Sequence, residues 1–176
     1  MKKKIFMIIT VLMLCLLAGG CSVEVQNDPN TQSVYYLYDI SADETQLEKV
    51  DYNPEETTAE YMLKDMMQQM NQKEDDVERI SLLPDDVQMN YSVEGEVLVV
   101  NFNSQYTQMS KAREILVRAG VVKTFLQVPG ISAVRFTVEN QDLTDSKGES
   151  VGEMTADTFA EFSGNEPDAY CSTTFT

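Results

Sequence analysis

The chain has 176 residues, enough for one domain with a sizeable core and too few for a cofactor fold beside a separate substrate fold. It carries 13 Lys and Arg against 29 Asp and Glu, a formal charge of -16, with 43% hydrophobic residues, the profile of a folded protein with an acidic surface. Such a surface repels nucleic acid and bare anionic lipid. The complete lack of His removes the usual general base at neutral pH and the commonest metal ligand, which excludes most catalytic triads and zinc hydrolase sites.

Lys2, Lys3 and Lys4 precede an apolar run from Ile5 to Ala18, broken only by Thr10, and Gly19, Gly20 and Cys21 follow. A charged start, an apolar stretch and small residues at its end are the parts of a secretory signal. As a helix the 14-residue run extends about 21 Å, short of the roughly 30 Å hydrocarbon core, so it is not read as a permanent span. The stretch L-L-A-G-G-C resembles the lipobox of bacterial lipoproteins, in which diacylglycerol is attached to the Cys thiol and the signal is cut just before it. The resemblance implies loss of residues 1–20 as the signal peptide and lipidation of Cys21. It places the chain on the extracytoplasmic face of the cell membrane, and the source is read as Gram-positive. Each buried methylene of such an anchor contributes about 0.8 kcal/mol. Losing three Lys from the 13 basic residues leaves 10 against 29 acids, a formal charge of -19. Cys15 leaves with the signal, so Cys171 has no intramolecular partner and reads as an incidental thiol.

Ser22 to Gln32 is polar, contains Pro29 and lacks helical period, so 21–32 is expected to be a lipidated, flexible tether reaching about 36 to 40 Å when extended. Val34 to Tyr38 reads as a first strand and Leu47 to Tyr52 as a second. Asn53, Pro54 and Glu56 stand as N-cap, first-turn proline and capping-box acid of a helix whose apolar stripe is Ala59, Met62, Leu63, Met66, Met67 and Met70. After Pro84, Val87, Met89, Tyr91 and Val93 alternate with Gln88, Asn90 and Ser92, the pattern of a strand with one wet face. Glu94 and Gly95 turn the chain into a more buried strand, Glu96 to Phe102. A second amphipathic helix is expected between Thr107 and Gln127, with Ala112, Ile115, Leu116, Ala119, Val122 and Leu126 inward. Pro129 and Gly130 suggest a type II turn before a last strand, Ile131 to Val138, with Val134, Phe136 and Val138 inward and Arg135 and Thr137 outward. Turns around Gly148 and Gly152, a short helix near Ala156 to Phe162 and a disordered tail at 163–176 complete the pattern.

The order ββαββαβ suits an α+β fold, a mixed sheet with two amphipathic helices packed on one face, ferredoxin-like in spirit. The opening Y-Y-L, the strand E-V-L-V-V-N-F-N and the stretch I-L-V-R-A-G-V-V-K-T-F-L-Q-V-P-G-I-S-A-V-R-F-T-V-E-N resemble a GerMN domain, the module of the GerM-like sporulation and spore-germination lipoproteins. The resemblance runs from Tyr35 to about Phe162, within a single domain assigned to 33–162. It implies an extracytoplasmic binding or scaffold domain with no catalytic residues to carry over. Sporulation members of that family resemble two such domains in tandem, whereas this chain has room for one.

No enzyme activity, cofactor or metal is expected. The expected partners are the membrane, through Cys21, and a protein or cell-wall component bound by the polar sheet face near Gln88, Asn90, Ser92 and Arg135 or by pairing at a sheet edge. The alternative is a wall-modifying hydrolase or metal-binding protein that uses the acidic loops. Glu74, Asp75, Asp76, Asp85 and Asp86 cluster carboxylates, and D-L-T-D-S-K-G-E from Asp142 to Glu149 loosely suggests a calcium loop without the D-x-D-x-D-G spacing. Sugar cleavage would need two acids facing across a cleft, and no spacing places such a pair.

Overall fold

The computed structural model describes residues 31–41, 44–72, 79–145, 147–160 and 162. The expected signal peptide at 1–20, Cys21, most of the expected tether, Glu74 to Asp76, Cys171 and the expected tail lie outside the described residues. Strand β1 (Gln32–Ser41) pairs antiparallel with β2 (Glu44–Tyr52), Val34 opposite Val50 and Leu37 opposite Leu47. The two-residue strand β3 (Arg79–Ile80) closes the far edge of β1, with Ile80 opposite Leu37. The β-rich run V-Y-Y-L-Y is therefore the central strand of a three-stranded sheet and is covered on both sides: Val34, Tyr36 and Leu37 are all buried.

Helix α1 (Ala59–Met70) starts later than the Asn53–Pro54 signal suggests. Thr58 is its N-cap, with an extended backbone and a hydroxyl that accepts from the Tyr61 amide at 3.4 Å. Residues 53 to 58 are exposed or half-buried, so a helix begun at Asn53 would bury nothing for its first turn; it forms where the apolar stripe begins. Met62, Leu63, Met66 and Met70 are buried, while Glu60 and Lys64 are exposed. The Tyr52 hydroxyl donates to Asp65 Oδ2 at 2.8 Å and ties the helix to β2. Burial and the Asp65 carboxylate both hold that phenol above its usual range.

The remaining strands form a second sheet. Strands β4 (Met89–Glu94) and β5 (Val97–Phe102) make an antiparallel hairpin turned at Gly95, whose φ of 65° suits a residue without Cβ. A 3-10 turn (Ser104–Gln108) and helix α2 (Lys111–Phe125) then return the chain to β6 (Ala133–Val138), parallel to β5. The Pro129–Gly130 turn is closed by the Ile131 amide donating to Val128 O at 3.1 Å, with Gly130 at φ 85° as a type II turn requires. Two short strands, β7 (Gln141–Asp142) and β8 (Glu153–Met154), pair with opposite ends of the other edge of β6. A 3-10 turn, Ala156–Phe159, stands where the last helix was expected.

The α+β class and the order of the seven main elements agree with the sequence reading. The strands, however, divide between two sheets rather than joining one, and α2 touches β1 and β2 of the first sheet and β6 of the second. That position corrects the expected single stripe on α2. Every residue from Glu114 to Val122 is buried, because a helix with neighbours on several sides has no face left for water. Ala112, placed inward by the periodicity, is exposed, and Leu126 is half-buried. Gly120 permits the close approach: a Cβ there would lie 2.8 Å from Leu82 Cδ1. Phe102 stacks on Tyr106 at 4.2 Å between ring centres and on Phe136 at 6.0 Å, joining β5, the 3-10 turn and β6 in one core.

Candidate functional site

Residues of alternate parity on β4, β5 and β6 share the outer face of the second sheet. The pairing sets them in rows: Asn90, Asn101 and Thr137; Ser92, Val99 and Arg135; Glu94, Val97 and Ala133. Asn90, Ser92 and Arg135 thus come together on one face, as their spacing suggests, and Gln88 precedes β4 on the same parity. Asn90, Ser92 and Gln88 are exposed, while Val99 and Ala133 are buried along the middle of the face. Arg135 reaches across β5, donating from Nη2 to Glu94 Oε2 at 2.6 Å. An ion pair this open to water stabilises the fold by at most about 1 kcal/mol, so its groups can be exchanged for a partner's at little cost.

Two residues unmarked by the sequence reading organise this face. Asn101 Oδ1 accepts from the Thr137 hydroxyl at 2.9 Å and from the Asn140 amide at 2.8 Å. That pairing accounts for the burial of Thr137, which the alternation had placed in solvent. Asn103 accepts from the Gln88 amide at 3.1 Å and donates to Asp86 O at 2.9 Å, holding the entry to β4. An Asn within or just after an apolar strand is the one sequence signal for either. Val93, expected inward, is 47% exposed, because β4 is an edge strand and nothing described covers its turn end.

A second feature lies at the start of α2. An open pocket of about 130 Å³ is lined by Tyr106, Thr107, Met109, Lys111, Glu114, Leu143 and Thr144. Glu114 is buried there: its Oε1 accepts from the Tyr106 hydroxyl at 2.7 Å and lies 2.8 Å from Arg118 Nε, and its Oε2 accepts from Arg118 Nη2 at 3.3 Å. Burial raises the Glu114 carboxyl above its ordinary value, against the opposing pull of Arg118 and of both hydrogen bonds. Burial likewise drives the Tyr106 phenol far up, with the neighbouring carboxylate adding to the effect. The i,i+4 spacing of Glu114 and Arg118 was the available sequence signal, but it usually marks an exposed helix face. Glu114 is the one carboxylate among the described residues lining the pocket, which does not make the facing pair that sugar cleavage requires.

The acidic loops contribute less. Asp85 and Asp86 are exposed. Asp145 Oδ1 accepts from the backbone amides of Lys147 at 2.8 Å and Glu149 at 2.9 Å, and the Glu149 bond leads in holding this carboxyl below its ordinary value. The carboxylate thus closes its own turn. Among the described residues no cluster of three or more Asp, Glu, Cys or His side chains is arranged to hold a metal ion, and no helix is long and apolar enough to cross a membrane.

Comparison with solved structures places this fold. The first GerMN domain of the sporulation protein GerM from Bacillus subtilis superposes with a TM-score of 0.53 at 15% identity, over 72% of this chain and 98% of that one. The tandem GerMN domains of the same protein give 0.50 at 15% identity over 72% of this chain, which spans 46% of that longer structure. These likenesses concern the fold. No curated protein sequence matches the chain. The family model described as Germane, sporulation and spore germination, matches residues 33–144, from the second residue of β1 past the end of β7. With most of its length matched, including both helices and the sheet face just described, the chain belongs to the Germane family of sporulation and spore germination proteins.

Proposed function

We propose that this chain is a lipoprotein held by Cys21 on the extracytoplasmic face of the membrane, and that its domain acts by non-catalytic contact with a protein or cell-wall component in sporulation, germination or envelope assembly. The observation that carries the reading is the sheet face on which Asn90, Ser92 and Arg135 meet, with Gln88 at its margin. Small uncharged donors and acceptors beside a loosely held ion pair suit recognition of a polar surface, since each group gives up water or a weak bond and regains a partner. The lipobox supplies the tether that keeps this face outside the cell.

Chemical crosslinking in membranes tests the reading. The triple variant Asn90→Ala, Ser92→Ala, Arg135→Ala is compared with Glu60→Ala, Lys64→Ala on the exposed side of α1. Loss of the wild-type adduct and of sporulation or germination efficiency in the first variant, with both retained in the second, is the expected result. Identical adducts in the two variants would remove this face from the account.

One observation favours a second reading, a wall-modifying hydrolase: the raised Glu114 carboxyl beside a pocket. That reading requires the purified chain to release fragments from peptidoglycan and Glu114→Gln to abolish the release.

A further inference from the structure

The two sheets end in two long edge strands, and the strands differ. Strand β2 presents Glu48, Lys49 and Asp51, all exposed, and charges on an edge discourage the addition of another strand. Among the described residues strand β4 ends the second sheet and bonds to β5 alone, in a register without a bulge from Met89–Phe102 to Glu94–Val97. From Met89 to Val93 it holds no charged residue and no Pro. In a hairpin with a two-residue loop the residues flanking the loop exchange both backbone bonds, and the pairs then alternate. Glu94, Ser92 and Asn90 therefore bond inward to β5, and Met89, Tyr91 and Val93 direct their amide and carbonyl groups at the open edge. The exposed Val93 side chain stands beside that edge, on the face that carries the half-buried Met89 and Tyr91.

The ends of the edge are acidic. Asp85 and Asp86 are exposed before β4, and Glu94 and Glu96 are exposed after Val93. A second copy added antiparallel would set Glu94 and Glu96 against the Asp85 and Asp86 of its mate, in a chain whose formal charge is already -16. The complementary occupant has an uncharged middle and cationic ends.

We propose that β4 is a docking strand that receives an extended polypeptide segment of alternating apolar and polar residues flanked by Lys or Arg. The backbone of the segment bonds to Met89, Tyr91 and Val93. Its apolar side chains cover Val93 and Tyr91, its polar ones continue the row of Asn90 and Ser92, and its terminal cations meet the two acidic clusters. The inference rests on the binding-domain reading above and names the partner's chemistry at the margin of the same face.

The test uses the full chain in detergent and the peptide Lys-Thr-Val-Thr-Val-Thr-Val-Thr-Lys, its Glu-ended counterpart, and a form N-methylated along the backbone. The Lys-ended peptide is expected to slow amide exchange at Met89, Tyr91 and Val93, with Asn90 and Ser92, already bonded to β5, changing less. At low salt the Glu-ended peptide binds roughly tenfold or more weakly, and the N-methylated one does not bind. Val93→Lys weakens binding by roughly tenfold while its unfolding temperature stays near wild type. Equal binding of the Lys-ended and Glu-ended peptides, binding of the N-methylated peptide, or protection at another surface overturns the proposal. So does protection of the same amides that appears without peptide as protein concentration rises, since the occupant is then a second copy. Loss of the membrane adduct in the triple alanine variant together with peptide binding indifferent to Val93→Lys sinks the edge and leaves the face standing.

Discussion

Helices α1 and α2 cover the same central strand by opposite means. Helix α1 divides its circumference, with Met62, Leu63, Met66 and Met70 turned inward and Glu60 and Lys64 left in water. Helix α2 has no such division: it touches both sheets, so its charged residues Glu114 and Arg118 are buried and must satisfy each other and Tyr106. Flexible thioethers fill whatever space a one-sided contact leaves. A helix enclosed on several sides needs a Gly at its tightest crossing and a closed polar network, and each part of such a network depends on the others. The first helix should therefore tolerate volume-conserving change in its core, and the second should not tolerate loss of one member of its charged pair.

The largest expected break is Arg118→Ala. It leaves the Glu114 carboxylate buried without its cation, at a cost of about 3–5 kcal/mol, read as the fall in urea midpoint. Replacing both partners with apolar residues, Glu114→Leu with Arg118→Met, should cost less than the single change, and a larger loss would show the network to be worth more than its desolvation. On α1, Met66→Ala removes a fully buried side chain for about 2–5 kcal/mol, whereas Met66→Leu stays below about 1.5 kcal/mol in the same assay.

Tyr106→Phe keeps the ring on Phe102 and deletes the hydroxyl that donates to Glu114, for about 1.5–3 kcal/mol. Its sign with pH is fixed. Because burial raises the Glu114 carboxyl, the native chain holds that proton more tightly than the unfolded chain; the stability this gives is full below the ordinary value of 4.5 and is lost as pH rises through the native value. The Tyr106 bond opposes the rise, so the variant should carry this loss to higher pH than wild type in urea midpoints taken across the acid range. Smallest is Gly120→Val, which crowds Leu82 for about 1–3 kcal/mol; Gly120→Ala should cost less, since Ala favours the helix by up to about 1 kcal/mol.

The same contrast shows how far the sequence could be read. The spacing of Met62, Leu63, Met66 and Met70 announces a helix with one buried stripe because the opposite side, with Glu60 and Lys64, is left to water. The Pro129–Gly130 turn and Gly95 were legible because only a few turn types suit those residues. The burial of α2 from Glu114 to Val122 was not, since Glu114 and Arg118 look like a solvent-facing pair until the fold buries them and brings the Tyr106 hydroxyl to Glu114. Nor was the division into two sheets, which depends on β3 pairing with β1 through two residues while β4 pairs elsewhere. Period-2 alternation correctly gathered Asn90, Ser92 and Arg135 on one face, because parity alone sets a side chain's face. It misplaced Val93 and Thr137, whose exposure depends on strand order and on Asn101.

The proposed function depends first on a lipid anchor at Cys21 that stations the domain outside the cytoplasm. Metabolic labelling with an alkynyl fatty acid, followed by membrane fractionation of wild type and Cys21→Ala, tests it most directly. Label and membrane association in the wild type, both lost in the variant, is the predicted result; a Cys21→Ala chain that keeps its label and stays in the membrane fraction would contradict it.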